Sequence, residues 1–311
     1  MTAGSGTGTP SSAPATTPAS LARLVNVYAG LSEIKAAADV SGTTYDAVLL
    51  RMASHASRLI DEATGRVFFP ELATEYVDGS GEAELWLPRP VLSISALAMS
   101  SDSGASYTAS LTEDTDFWCS DGWRFGQGPT QLLVMSPNGS YAIWYGGRRA
   151  VRITGVWGWH RNYAAAWQDS QDTLAALLSS SATTLSVANA DGADQMGLTP
   201  RFEVGQLLQI ESEFLAVTGV NTATNVLTVV RGCNGTTAAA HASGQRIDVW
   251  HAHDLVRQAT LIQAVRWFKR GQSAFQDVSA ALELGQLTFA RKTDPEVEFM
   301  LVEAGLRRLS V

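Results

Sequence analysis

The sequence predicts an α+β fold: a helical domain carrying a β-strand region, with a small all-β sandwich or barrel module inserted into it. Three observations lead there. The stretch "SGTTYDAVLLRMASHASRLIDEATG", residues 41–65, has apolar residues at helical spacing. Residues 173–250 hold short β-rich runs broken by Gly, Asn and Asp, the pattern of a small sandwich or barrel. Helical periodicity then returns at Asp254. The expected organisation is a flexible N-terminal arm, 1–20, a parent domain from 21–172 and 251–311, and an inserted β domain, 173–250.

The arm "MTAGSGTGTPSSAPATTPAS" has no charge and no aromatic residue, but has prolines at 10, 14 and 18. Such a tract cannot bury enough surface to fold alone. Leu21 to Ala38 reads as a short helical region with Leu31, Ile34 and Ala37 on one face. In the next helix, Thr43 and Asp46 have capping-box spacing. Leu49, Met52, Ala53, Ala56, Leu59, Ile60 and Ala63 form its apolar stripe, and Gly65 is placed for a left-handed C-cap. Its opposite face carries Arg51, His55, Arg58, Asp61 and Glu62.

From Val67 the pattern changes to strands. Asp78-Gly79-Ser80-Gly81 reads as a hairpin turn between "TEYV" and "EAELWLP". "PVLSISALAMS", "DFWCSDGWRF", "QLLVMSP" and "YAIWY" continue the sheet. "VRITGVWGW" closes it, with Val151, Ile153, Trp157 and Trp159 on one face at period two. After the insertion, a helix is expected from Asp254 to Gly271. A last one is capped by Asp294, opened by Pro295 and striped by Val297, Leu301 and Ala304.

Composition narrows the function. The 311 residues are 45% hydrophobic and 17% charged, a globular balance. A net charge of −8 argues against an electrostatic DNA binder as a whole. Residues 1–245 carry 13 basic and 22 acidic groups, whereas residues 246–311 carry 9 and 8, which points to protein contacts at the tail. Cys119 and Cys233 read as two ordinary small apolar residues, not a disulfide framework. No run of about 18 apolar residues is present to span a membrane, and the start lacks the order of a signal peptide. A cytoplasmic product is expected.

The inventory of chemistry is thin. There is no GxxxxGK[ST], HExxH, GxSxG or well-placed GxGxxG. His251, His253 and Asp254 form the densest cluster of potential ligands, without a third and fourth partner at metal spacing; Asp254 reads better as an N-cap. His241, near the turn Asn234-Gly235, lacks a nucleophile to serve as base for and reads as a support for a long loop. The acidic turn at 78–81 lacks the ligands of a calcium loop. No catalytic residue, cofactor or metal is predicted, and the chain is read as not an enzyme.

Several stretches carry a family resemblance. "SRLIDEATGR", "VFFP", "DGSGEAELWLPRPVLSISAL", "RRAVRITGVWGW", "HDLVRQATLIQAVRWFKRG" and "TDPEVEFML" together resemble the head–tail connector (adaptor) proteins of tailed bacteriophages and phage-like particles. "LLQIESEFLAVTGV" and "LTVVRGCNGTTAAAHASGQRI" resemble a β module of phage virion proteins. The resemblance implies a helical connector domain and a homo-oligomeric ring, typically of about twelve copies on a cyclic axis. Such a ring sits in the virion neck between portal protein and a tail-side neck or terminator protein, and passes double-stranded DNA without sequence-specific binding. It implies docking on the portal through the C-terminal part, here Phe299, Arg307, Arg308 and Leu309, with arginines suited to partner carboxylates. Asp61 and Glu62 are the candidates to face the lumen, where acidic groups would repel phosphate. Two other readings stand beside this one. One is a tail-side neck completion protein; the other is a carbohydrate-binding virion protein using Trp157, Trp159 or the insertion, which requires aromatic rings exposed in one plane.

Overall fold

A computed structural model describes residues 26–121, 129–272, 278–281, 286–289, 293–303 and 306. The expected arm, 1–20, lies outside the described residues. The helices are α1 (Leu31–Ala38), α2 (Asp46–Thr64), α3 (Asp254–Gln272) and α4 (Pro295–Glu303). The body strands are β1 (Glu71–Gly79), β2 (Glu84–Met99), β3 (Ala109–Leu111), β4 (Phe117–Asp121), β5 (Thr130–Met135) and β6 (Gly147–Trp157). The second set is β7 (Trp167–Thr173), β8 (Thr184–Ser186), β9 (Leu207–Ile210), β10 (Glu213–Asn221), β11 (Val226–Val230) and β12 (Arg246–Trp250). A small pair, β13 (Val278–Ala281) and β14 (Gln286–Phe289), follows α3.

This overturns the expected fold class. The parent is not a helical domain with a β region. Two six-stranded antiparallel sheets make up most of the described chain, and the helices cover one end. The physical reason is where the core lies. Val77, Leu85, Leu87, Leu97, Leu111, Phe117, Leu133, Val151, Ile153 and Trp157, drawn from all six body strands, fill one cluster without any helix residue. The helices instead pack on one another through Ile34, Leu49, Ala53, Ala56, Ala264 and Phe268. Long helices announce themselves by uninterrupted periodicity. Strands broken by bulges do not.

The body sheet runs β1-β6-β2-β5-β4, with β3 also on β2. The expected hairpin at Asp78–Gly81 therefore does not pair its two arms: β6 lies between β1 and β2. The apolar alternation of Val151, Ile153 and Trp157 suits that central place. Strand β2 contains Pro88 and Pro90, which cannot donate to a ladder. They fall in the register break between Trp86 and Val91, where the main partner of β2 changes from β5 to β6. Arg89, between them, bonds Glu71 and Glu75 at 2.6 Å each and lies over the Trp157 ring. "YAIWY" is not a strand; Trp144 is buried there and donates to Ala83 O at 3.1 Å.

Local signals met mixed outcomes. Gly65 is the left-handed C-cap of α2, with φ 64°. The capping box at Thr43 does not form, because Tyr45 holds the N-cap position without a side-chain bond and Asp46 bonds Lys35 at 2.8 Å. Within 26–38, only Leu31–Ala38 is helical, and it buries Ile34 and Ala38 while Ala37 is exposed. Asp294 caps α4 by accepting from Glu296 N.

The second sheet is ordered β7-β12-β9-β10-β11-β8. Leu174, just past β7, bridges Val187, just past β8, so the sheet closes on itself as a small barrel. Its strands begin at Trp167, several residues before the expected boundary at 173. The barrel is filled by Leu185, Phe202, Leu208, Ile210, Leu215, Val217, Leu227, Ile247 and Val249. Trp250 ends it and donates to Phe68 O of the body at 3.1 Å.

The loop after β11 locks barrel to body. Leu72 N donates to Asn234 O at 2.9 Å, and the Asn234 side chain bonds Pro70 O and Asn26. Gly235 has φ 82°, and a β-carbon there would overlap the Leu72 carbonyl oxygen. Gly244 has the same left-handed φ, 84°, but open space around it. Gly235→Ala is expected to lower the unfolding free energy by at least about 2 kcal/mol, against about 1 kcal/mol for Gly244→Ala. Urea melts of the two variants measure the difference, which isolates the cost of the close approach.

Candidate interaction surfaces

Glu213 is 1% exposed and receives Arg231 Nε and Nη2 at 2.7 Å each, Gly232 N at 3.0 Å, Ala239 N at 2.9 Å and His241 Nε2 at 2.8 Å. Burial alone would raise its carboxyl, but these donors outweigh it and hold it down at about 2. His241 Nδ1 meets Glu211 at 2.6 Å. His241 thus braces the loop, with both ring nitrogens taken by carboxylates.

The His251–His253–Asp254 cluster gains a member that sequence spacing missed. His160 packs against His253, with ring centroids 5.9 Å apart, and against Trp250 at 5.5 Å. Burial, then neighbouring positive groups, lowers His160 and His251 to about 4 and also lowers His253. These are neutral packed imidazoles. Among the described residues, no group of three or more His, Cys, Asp and Glu is arranged to hold a metal. A narrow cleft opens between α1, the barrel and the start of α3. Its charged groups are already engaged: Glu33 with Arg257, and Glu203 with Ser32 N at 2.8 Å.

The residues singled out from sequence separate. Trp157 and Trp159 are 0% and 5% exposed and belong to different cores, so neither offers a ring to a sugar. Glu62 is exposed. Asp61 accepts from Tyr28 Oη at 2.6 Å and pairs with Arg58 at 3.2 Å. Burial raises its carboxyl to about 6 against those two contacts. On α4, Val297 and Leu301 turn inward while Phe299 is 64% exposed. Arg307, Arg308 and Leu309 lie outside the described residues. Cys119 and Cys233 are free, and burial first of all pushes the Cys119 thiol up to about 12.

What the fold does present is one sheet face. Trp86 pairs with Leu132 and Leu132 with Ser120; Glu84 pairs with Val134 and Val134 with Trp118. Directly paired residues project to the same side. The core side here is taken by Leu85, Leu87, Leu133, Met135 and Phe117, so Trp86, Leu132, Val134 and Trp118 share the outer side. Trp86 is 64% and Trp118 41% exposed, and β4 is the edge of the sheet. Sequence alternation alone did not separate these outward tryptophans from the inward ones. At the other end of the same sheet, Arg149 lies 4.3 Å over the Tyr76 ring and Arg152 lies 4.7 Å over the Tyr107 ring.

No family model matches this chain, and no curated protein is significantly similar to it. Among the described residues, no helix is long and apolar enough to cross a membrane.

Stability is expected to fall in acid in two windows. The histidine pKa values are depressed on folding, so their contribution is complete above about pH 6.5 and is lost as pH falls to about 4. Glu213 is likewise depressed, so its share holds above about 4.5 and goes as pH falls toward 2. Asp61 acts oppositely, because a raised carboxyl favours folding as pH drops from about 6 to about 4. His160→Asn should flatten the first window in urea melts taken from pH 7 to pH 4. An unchanged slope would remove His160 from this account.

Proposed function

We propose that the chain is a structural virion protein of the neck, a ring-forming connector that joins the capsid portal to the tail and continues the DNA channel. The observation that carries this reading is the outward apolar face of Trp86, Leu132, Val134 and Trp118 beside the edge strand β4. Two exposed tryptophans on a rigid sheet have the composition of an interface centre. The stretches that carry the resemblance support it too. Those that resemble connectors lie in or beside α2, β1, β2, β6, α3 and α4 of the body, and those that resemble a virion β module lie in the barrel, from β9 to β12. A neighbouring copy placed against β4 gives a head-to-tail contact, the kind that closes into a ring when the rotation permits. Phe299 on α4 remains as a second contact, directed at the portal.

Two measurements test this. Particle mass of the full chain, alone and mixed with portal protein, should show a ring in at least one condition. A monomer that ignores the portal overturns the reading. The variant Trp86→Ser/Trp118→Ser should melt within about 0.5 kcal/mol of the parent, as exposed substitutions do, yet lose the ring. A ring of unchanged mass would exclude this face from the subunit contact.

A further inference from the structure

The outer side of the body sheet carries a second feature at the end away from the tryptophans. Tyr76, Arg152, Ala98 and Ser110 are directly paired across β1, β6, β2 and β3, so they form one row on one face. The next row is Thr74, Thr154 and Ala96. Ser95, Ala96, Ala98, Ser110, Leu111 and Arg152 line an open trough with no carboxylate in its walls. Small residues on its floor let a bulky chain come close, and hydroxyls and a guanidinium supply donors.

Strand β6 carries three arginines here: Arg152 lines the trough, Arg149 lies over the ring of Tyr76, and Arg148 is the exposed residue before Arg149. No carboxylate of the described residues lies within ion-pairing distance of any of the three. Two are instead laid on tyrosine rings, and those rings are 5.7 Å apart. Stacking holds a guanidinium flat while leaving its N–H edge free to donate. The backbone is shaped for this. Arg149 adopts φ 51°, held by its amide donating to Asp78 Oδ1 at 2.7 Å and its carbonyl accepting from Tyr107 Oη at 2.7 Å. A left-handed arginine is uncommon and costs energy that the surroundings must repay. The nearby acids are engaged: Asp78 in that bond, and Asp102 with Ser100 and Ser106.

We propose that this arginine–tyrosine platform is a contact for the phosphate backbone of duplex DNA, and that in the ring it meets the DNA passing through the channel. The assignment of the DNA as the packaged duplex rests on the connector reading. Charge complementarity selects the occupant: three guanidiniums without carboxylate partners suit phosphates. The net charge of −8 on the whole chain keeps the attraction weak, which suits a polymer that must slide.

The test is binding of the full chain to a fluorescent 30-base-pair duplex of arbitrary sequence, read by anisotropy across salt. Expected is weak, sequence-independent binding at low salt. Arg148→Gln/Arg149→Gln/Arg152→Gln should lower it about tenfold or more and flatten the salt slope by roughly two to three. Arg149→Lys/Arg152→Lys, which keeps the charge but not the stacked fork, should fall between. Arg51→Gln, on α2, should behave as the parent. No binding at low salt, an unchanged triple variant, or equal loss in Arg51→Gln would each overturn the proposal. So would displacement of the duplex by poly-glutamate at equal charge, which would assign the platform to acidic proteins. Failure here with an intact ring on the portal leaves the connector reading standing, whereas duplex binding by a chain that never forms a ring removes that reading and leaves the platform.

Discussion

The Glu213–Arg231 ion pair, with His241 against it, is the constraint on which the joined structure depends. A buried carboxylate is tolerated only when its lone pairs are filled. Glu213 achieves this by gathering donors from both ends of one loop: Arg231 and Gly232 where it leaves β11, Ala239 and His241 where it returns. Removing one partner of such a pair costs about 3–5 kcal/mol, because a charge is left buried and unmatched. The loop so shaped carries Asn234 and Gly235 to the start of β1, where they bond Pro70, Leu72 and Asn26. One ion pair thus fixes both the loop from β11 to β12 and the barrel's seat on the body.

The interior and the outer sheet face divide the work. Inside, Glu213, Arg231 and His241 satisfy one another, and among the described residues no group of three or more His, Cys, Asp and Glu is arranged to hold a metal. Outside, one twisted sheet presents an apolar tryptophan face near β4 and a cationic tyrosine–arginine face toward β1 and β3. A sheet is well suited to hold such surfaces, since its backbone ladder keeps neighbouring side chains at set spacing. In the connector reading, the first face meets protein and the second meets DNA.

The helices and the barrel strands were legible because their signals are local. The stripe from Leu49 to Ile60, the αL glycine at 65 and the Asp294–Pro295 start each depend on a few neighbouring residues, and each sits in the structure where periodicity or capping chemistry puts it. The barrel run from 173 to 250 was legible for the same reason, apart from β7, whose polar "WQDSQDT" has no alternation of its own. The balance of the parent domain was not legible. Periodicity shows that a helix exists but not how much core it covers, and here the six body strands have a core to themselves.

By itself, then, the sequence determined the long helices, the glycine that ends α2 and the Asp294 cap of α4, the short strands of the insertion, and the lack of any local catalytic signature. Tertiary structure decided the rest. It placed β6 between β1 and β2, turned Trp157 inward and Trp86 outward, drew His160 to His253, and set Arg149 on Tyr76. Local elements are written within a few residues. Strand order and the face that a side chain presents depend on partners dozens of residues away, whose pairing is settled only when the whole chain packs.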